Sequence, residues 1–572
     1  MAGRARLMTE QSPTGGPELQ GLRRARSASA TSPWRAIDTR IGRRQGRRVL
    51  ELRRYRWRLL GIVVLGAILR GLPLLGPLEV LDGRTVPDDA YLAASVARNL
   101  GHGRGPLYGD EPTNGYQPLL VLASALWWTG DDAEERASPS VALLDRRIVQ
   151  AIALSAGADV LAILLVAALL ATRYGRGVEA LAGAALWALH PSVIRAALNG
   201  LETGMASATV LLFLWLWQAR AGPHAGLPSR FGLGLALGVA FLARVDAVLL
   251  APCLLLVEGR SAARPTFTAW CRSVGTVALG AGLVVAPWLV WSWSWTGAIF
   301  PISGTAVRLN ALSWASSRDL GALFYLKSIG SCLGSILWLN APILGPASVL
   351  TLLAAARSGR RDRQGWGAAL LRELGAWRLG WSYLGLLFAA YTLWVLAWWF
   401  HDRYLLLAML VPVWVLAAAL FLLRGRARPR NALLAAVLGV LLLHPLHWGL
   451  RFGGPAEDLG YRSIGLWLRE HARPGERVGS CQTGAMHYYA RADVTVVNLD
   501  GVVSAEALRA LQEGRALERV RALGVRRLVD WTGCPAYLRR HSDLPDKERM
   551  LKLERTLPIR SWKHVWRVYR VR

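Results

Sequence analysis

Ten long apolar blocks, separated by short charged turns, constrain this 572-residue chain more than any other feature. They cover residues 59–77, 148–172, 178–198, 203–218, 231–257, 273–296, 331–356, 381–400, 404–423 and 432–450. Each is long enough, or nearly so, to cross about 30 Å of hydrocarbon at ~1.5 Å per helical residue. With 53% apolar residues and a mean hydropathy of +0.29, the chain reads as a polytopic α-helical membrane protein.

Loop charge sets the expected topology. A tail, residues 1–58, carries fifteen Arg against four acids, which places it in the cytoplasm as a basic, disordered segment. No small-residue cleavage pattern follows the first block, so that block reads as an anchor rather than a signal peptide. The next segment, 78–145, holds eleven acids and four Arg and is expected outside. Arg-rich turns at 173–177, 219–230, 258–272, 357–378 and 424–430 then fall inside, provided that 231–257 is a hairpin of two short helices broken at Arg244-Val245-Asp246. About eleven transmembrane helices result, spread over a membrane domain at 59–450. Trp127-Trp128 and the Trp residues of 288–295 and 394–399 fall at outer ends, where indoles favour the headgroup zone. The net charge of +30 clusters beside spans, so lipid and topology account for it and nucleic acid does not.

After residue 450 hydropathy collapses and short helices alternate with strands: 463–473, 477–481, 494–498, 505–523, 526–531 and 566–571. This is an α/β domain, 451–572, placed outside by an odd number of spans. No Gly-rich phosphate fingerprint follows its strands. Cys253, Cys271 and Cys332 lie in or beside spans; Cys481 and Cys534 are either a disulfide or two buried thiols, and structural zinc has no ligand pattern.

Chemistry concentrates at outer span ends. The acidic loop reads Pro87-Asp88-Asp89-Ala90-Tyr91, then Gly101-His102-Gly103-Arg104-Gly105 and Asn114-Gly115-Tyr116-Gln117-Pro118. A cap explains one of the adjacent carboxylates, with Asp88 as N-cap, Asp89 in the first turn and Gly101 as terminator, but not both. Asn199-Gly200-Leu201-Glu202-Thr203, Arg244-Val245-Asp246, Pro301-Ile302-Ser303 with Arg308, and His401-Asp402-Arg403-Tyr404 fall on the same face. Acids that activate a hydroxyl thus share a surface with cations that hold phosphate. A transporter or lipid flippase is the rival reading, and would carry mid-span charges and internal repeats. A non-catalytic scaffold is another.

These motifs resemble the GT-C membrane glycosyltransferases that use polyprenyl-phosphate sugars, and among them the terminal β-(1→2)-arabinofuranosyltransferase type. The matching residues are Asp88-Asp89-Ala90-Tyr91, Arg98-Asn99-Leu100, Gly103-Arg104-Gly105, Gly115-Tyr116-Gln117-Pro118-Leu119, Gly200-Leu201-Glu202-Thr203, Pro301-Ile302-Ser303 and Arg403-Tyr404-Leu405. The chain departs at Gln117, where Thr or Ser often follows Tyr, and at Arg244-Val245-Asp246, where Arg-Pro-Glu is usual. The resemblance implies transfer of a pentofuranose or hexose to a cell-envelope glycan, lipid or protein on the outer face of the cell membrane. It puts the catalytic acid first in the pair, at Asp88, with Asp89 sharing the work or a divalent cation. The reading gives Arg244, Arg308, His401 and Arg403 to the donor, with Tyr91, Tyr116, Glu202 and Asp246 in support.

Overall fold

The computed structural model describes residues 33–220, 226–259, 266–337, 340, 345, 360–397, 401–451, 460–561 and 564–572. They fall in two units, Met1–Arg56 and Trp57–Arg572. The tail expected to be disordered is helical from Pro33 on, within helix α1, Pro33–Gly71. Arg, Leu and Ala are strong helix formers and Pro is tolerated in a first turn, which a reading from charge alone overlooks.

Three described helices are long and apolar enough to cross a membrane: Leu50–Leu75 within α1, Val141–Tyr174 and Phe267–Thr296. Pro118–Trp128, Val178–Leu189, Leu227–Ala243, Leu323–Leu337 and Leu406–Leu422 are apolar but shorter. Eleven full-length spans are therefore not what the described residues display, and most of block 331–356 lies outside them. Within the bundle Arg70 and Asp159, both fully buried, pair at 2.6 Å, and Trp187 Nε1 donates to the same carboxylate. This joins three helices by a charge pair that neither partner could leave without stranding the other.

Block 231–257 breaks at Arg244, whose backbone is extended (φ −153°, ψ 122°) between helix Leu227–Ala243 and the turn Val245–Leu249. Arg230 near the start of the first arm forms an ion pair with Glu258 at the end of the second, so the chain doubles back. Helix Leu227–Ala243 packs close on Phe267–Thr296 because Gly234 and Gly280 face the opposing backbone; a Cβ on either would sit 2.2 or 2.5 Å from a carbonyl oxygen. Away from this hairpin's tip, two turns read as inside meet, with Arg424 donating to Glu179 at 2.6 Å and to the Tyr174 carbonyl.

The C-terminal residues form a five-stranded sheet, β1 Arg477–Ser480, β2 Thr495–Asn498, β3 Arg527–Asp530, β4 Leu551–Ser561 and β5 His564–Val571, in the order β2-β1-β3-β5-β4. The first three are parallel, with Val478 opposite both Val496 and Arg527, and the last two form an antiparallel hairpin. The stretch expected as one helix, 505–523, is two, Ala505–Gln512 and Ala516–Ala522, divided by Gly514 at φ +70°. Cys481 and Cys534 are joined in a disulfide. The sheet domain shares a core with loop 78–145: Val86, Tyr91 and Trp128 lie in one buried cluster with Ile464, Met486, Tyr488, Tyr489 and Trp566.

Candidate active site

The loop 78–145 holds the site together. Helix α2, Asp88–Gly101, begins after an extended Pro87, which is its N-cap; neither aspartate caps it, and Gly101 is its last residue. Asp88 is buried and turned into the C-terminal domain instead. Its Oδ2 accepts from Gly484 N at 2.7 Å and its Oδ1 from Ala485 N at 2.9 Å, at the start of helix Gly484–Tyr489. The backbone of Gly484 comes so close that a Cβ would lie 2.1 Å from the Asp88 carbonyl oxygen. Asp82 does the same for a second helix, Tyr461–His471, accepting from Arg462 N at 2.9 Å and from Tyr91 Oη at 2.6 Å. Tyr91 is therefore a core residue of this junction, with its ring 5.8 and 5.7 Å from those of Tyr488 and Tyr489. Arg462 closes the seam through both oxygens of Asp145, at 2.9 and 2.7 Å.

Burial pushes the Asp88 carboxyl up to about 7, against the pull of its two N–H donors, with the charges of Asp89 and Asp500 adding to the rise. Asp82 is raised to about 6 by the same loss of solvent. Burial disfavours the ionised form in the native state, so the contribution of this carboxyl to stability is greatest below the unfolded value near 3.8 and is lost as pH climbs through about 7. Asn at position 88 mimics the protonated acid at every pH. The apparent melting temperature of the native protein should thus fall by several degrees relative to Asp88→Asn between pH 5 and pH 8.5. A pH-independent gap between the two, measured in one detergent, would contradict this.

Asp89 points the other way and stays 39% exposed, paired with Arg403 Nη1 at 2.7 Å. Arg403 Nη2 donates to Tyr404 Oη at 2.7 Å, and the Arg403 carbonyl accepts from Arg244 Nη1 at 3.0 Å. Arg244, at the hairpin break, pairs with Asp246 at 2.8 Å and donates to Tyr391 Oη at 2.9 Å. Tyr391 and Tyr404 stack with centroids 4.5 Å apart, and Arg244 lies 5.0 Å over the Tyr404 ring. A π-helical turn, Ala390–Trp394, follows helix Arg378–Ala389 and carries Tyr391, whose hydroxyl donates to Asp246. Buried Glu202 acts electrostatically on both Arg244 and Arg403. A small pocket opens among these groups, lined by Thr203, Ser207, Arg244, Asp246, Arg403 and Tyr404 together with Val210, Leu387, Leu406 and Leu407.

The remaining loop motifs are clamps. Asn114 donates to Ser292 Oγ and to the Ala298 and Phe300 carbonyls, each at 3.0 Å, and accepts from Ile302 N, so it fixes the Pro301-Ile302-Ser303 turn. Gln117 accepts from Val245 N at 3.1 Å and ties the loop to the hairpin tip. Tyr116 is buried in the core shared by loop and sheet domain. Arg308 stands apart, half-buried, with its guanidinium 5.1 Å over the Trp394 ring and donating to the Trp394 carbonyl. The side chain of His401 lies outside the described residues.

Two groups went unnoticed in the sequence. Tyr391 sits in an apolar block where a tyrosine is unremarkable. Asp500, just after β2, accepts from Asn498 Nδ2 and Val502 N, and burial lifts its carboxyl to about 7, with the charges of Asp89 and Asp530 adding to it. Ser480, Asp500 and Asp530 gather at the carboxyl ends of the parallel strands, where doubly wound sheets bind ligands. Here Asp530 already fills that crevice, taking Ser480 Oγ at 2.7 Å and the N–H groups of Cys481 and Gln482. Among the described residues the one trio at metal-ligand spacing is Cys481, Asp530 and Cys534, and its two sulfurs are bonded to each other.

With this geometry in hand, the comparisons with known proteins divide the chain. Residues 453–567 match a family described as a domain of unknown function, DUF8728. No curated protein matches the sequence. Among solved structures, an Archaeoglobus fulgidus oligosaccharyltransferase in complex with Zn and sulfate aligns over 89% of this chain and 72% of its own, with a TM-score of 0.51 at 15% identity. The likeness is one of fold. ArnT from Cupriavidus metallidurans, bound to undecaprenyl phosphate, aligns over 89% of this chain and 97% of its own, at a TM-score of 0.49 and 14% identity.

Proposed function

We propose that this protein transfers a sugar from a polyprenyl phosphate to an acceptor hydroxyl at the outer face of the membrane. The observation that carries the reading is the Asp89–Arg403 pair beside a pocket lined by both guanidinium groups and aliphatic side chains. Arg403 and Arg244 would grip the phosphate, and Leu387, Leu406 and Leu407 would receive the first isoprene units.

Asp89 is the acid open to a substrate, and in this reading it is the base. It takes the proton of the acceptor hydroxyl as that oxygen attacks the anomeric carbon. The bond from that carbon to the phosphate oxygen breaks, and polyprenyl phosphate leaves with the electron pair, its charge met by the two arginines. Asp88 has both oxygens engaged by Gly484 and Ala485, and serves to dock the C-terminal domain. Asp88 has both oxygens engaged by main-chain N–H groups, so the reading assigns the carboxylate pair no divalent cation.

An oxidised Cys481–Cys534 supports an extracytoplasmic C-terminal domain, and the acidic loop and Arg-rich turns support a cytoplasmic N-terminus. An arabinofuranose donor and a cell-envelope acceptor are the sharper form of the same proposal, resting on the motif resemblance. The test gives purified protein a panel of polyprenyl-phosphate sugars and follows release of polyprenyl phosphate by mass spectrometry. Release with one donor of the panel is expected. Silence with all of them, in protein shown to be folded, would leave lipid transport as the better account.

A further inference from the structure

The Asp89–Arg403 pair sets a conflict that the reaction has to resolve. Arg403 Nη1 donates to Asp89 Oδ2 at 2.7 Å, while Nη2 is given to Tyr404 Oη at 2.7 Å. A guanidinium binds phosphate best with two parallel N–H groups, and those groups lie in one planar fork. A phosphate that takes the edge formed by Nη1 and Nη2 competes with the Asp89 carboxylate for Nη1. As long as it is paired, Asp89 has its Oδ2 directed at a cation and is a weaker base. Once displaced, it is an exposed carboxylate beside the position the phosphate has just filled.

We propose that Arg403 is a switch held by Asp89 until the donor arrives, so that binding of the lipid phosphate releases the base and the acceptor is activated only when a donor is present. The inference rests on the glycosyltransferase reading and adds to it an order of events. Donor comes first, and an acceptor, or water in its place, meets an engaged carboxylate in its absence. Tyr404 is positioned to follow the exchange, because its hydroxyl is held by the same guanidinium and its ring stacks on Tyr391. The backbone carbonyl of Arg403, fixed by Arg244, keeps the switch residue in place while its side chain changes partner.

The experiment measures the affinity of undecaprenyl phosphate for four forms of the full chain: native, Asp89→Asn, Arg403→Gln and the double variant. If Asp89 competes for Arg403, then Asp89→Asn tightens binding by roughly tenfold, one decade being the scale of a single charged hydrogen bond. The gain must vanish in the Arg403→Gln background, where there is no fork to compete for. An equal gain in both backgrounds would mean that Asp89 merely repels the phosphate, and would overturn the switch while leaving the donor site standing. No gain, or weaker binding, in Asp89→Asn would overturn it too. Should undecaprenyl phosphate bind equally well with and without Arg403 in both pairs of proteins, or not bind the native chain, the donor-site reading itself fails.

Discussion

Asp89→Asn is expected to lower the rate of transfer by about 10²–10⁴, the usual contribution of a positioned general base, in protein that inserts and folds as the native chain does. The substitution is chosen for what it preserves. An Asn side chain fits the first turn of α2 as well as Asp does, and its amide oxygen still accepts from Arg403. What it loses is the capacity to take a proton. A residue that only steadied Arg403 through a partly exposed ion pair would lose little, because such pairs contribute modestly in solvent. The companion variant separates the two aspartates. Asp88→Asn keeps the proton-accepting group at 89 and disturbs only one of two N–H acceptors at the domain junction, so its transfer rate should fall far less than that of Asp89→Asn. Single-turnover rates with a fixed donor distinguish them without interference from lipid release. Near-native turnover in Asp89→Asn, with a large loss in Asp88→Asn, would reverse the assignment and return the base to the buried member of the pair.

The sequence made the general location of the site legible, and the reason is periodic chemistry. Long apolar blocks leave polar residues only at their ends, so Asp88, Asp89, Glu202, Arg244, Asp246 and Arg403 had few places to go. The hairpin break followed from Arg counts in loops distant from it, and Arg230 and Glu258 meet as such a reversal requires. What the sequence left open is which of two adjacent carboxylates faces the pocket. On a helix, neighbours lie about 100° apart, so Asp88 and Asp89 diverge by construction; which turns inward depends on a partner nearly 400 residues away, Gly484. Tyr391 was invisible because its role depends on a π-turn that propensity does not specify. The disordered reading of the tail failed from residue 33 on for the opposite reason, since its Arg residues are good helix formers as well as charges.

The second large effect is expected from a residue that takes no part in chemistry. Gly484→Val should abolish transfer and expose the C-terminal domain to limited proteolysis. The Cβ of any side chain at 484 would fall 2.1 Å from the Asp88 carbonyl oxygen and 2.9 Å from its carboxyl carbon. Main-chain atoms of α2 cannot rotate away as a side chain can, so the helix start or the whole domain has to move. Overpacking commonly costs about 1–3 kcal/mol where neighbours relax, and here the relaxation would also break the bonds from Gly484 and Ala485 to Asp88. Asp89 is the next residue of the same turn, so any shift that relieves the clash also moves the proposed base relative to Arg403, and near 1 Å is enough to cost about 10²-fold in rate. Gly533→Ala is the matched control, being a glycine of the same domain whose added Cβ would meet nothing within 4 Å. It should leave both rate and cleavage pattern unchanged. If Gly484→Val kept native turnover and native protease resistance, docking of the sheet domain would not govern the geometry of the loop, and Asp88 would have to be explained in some other way.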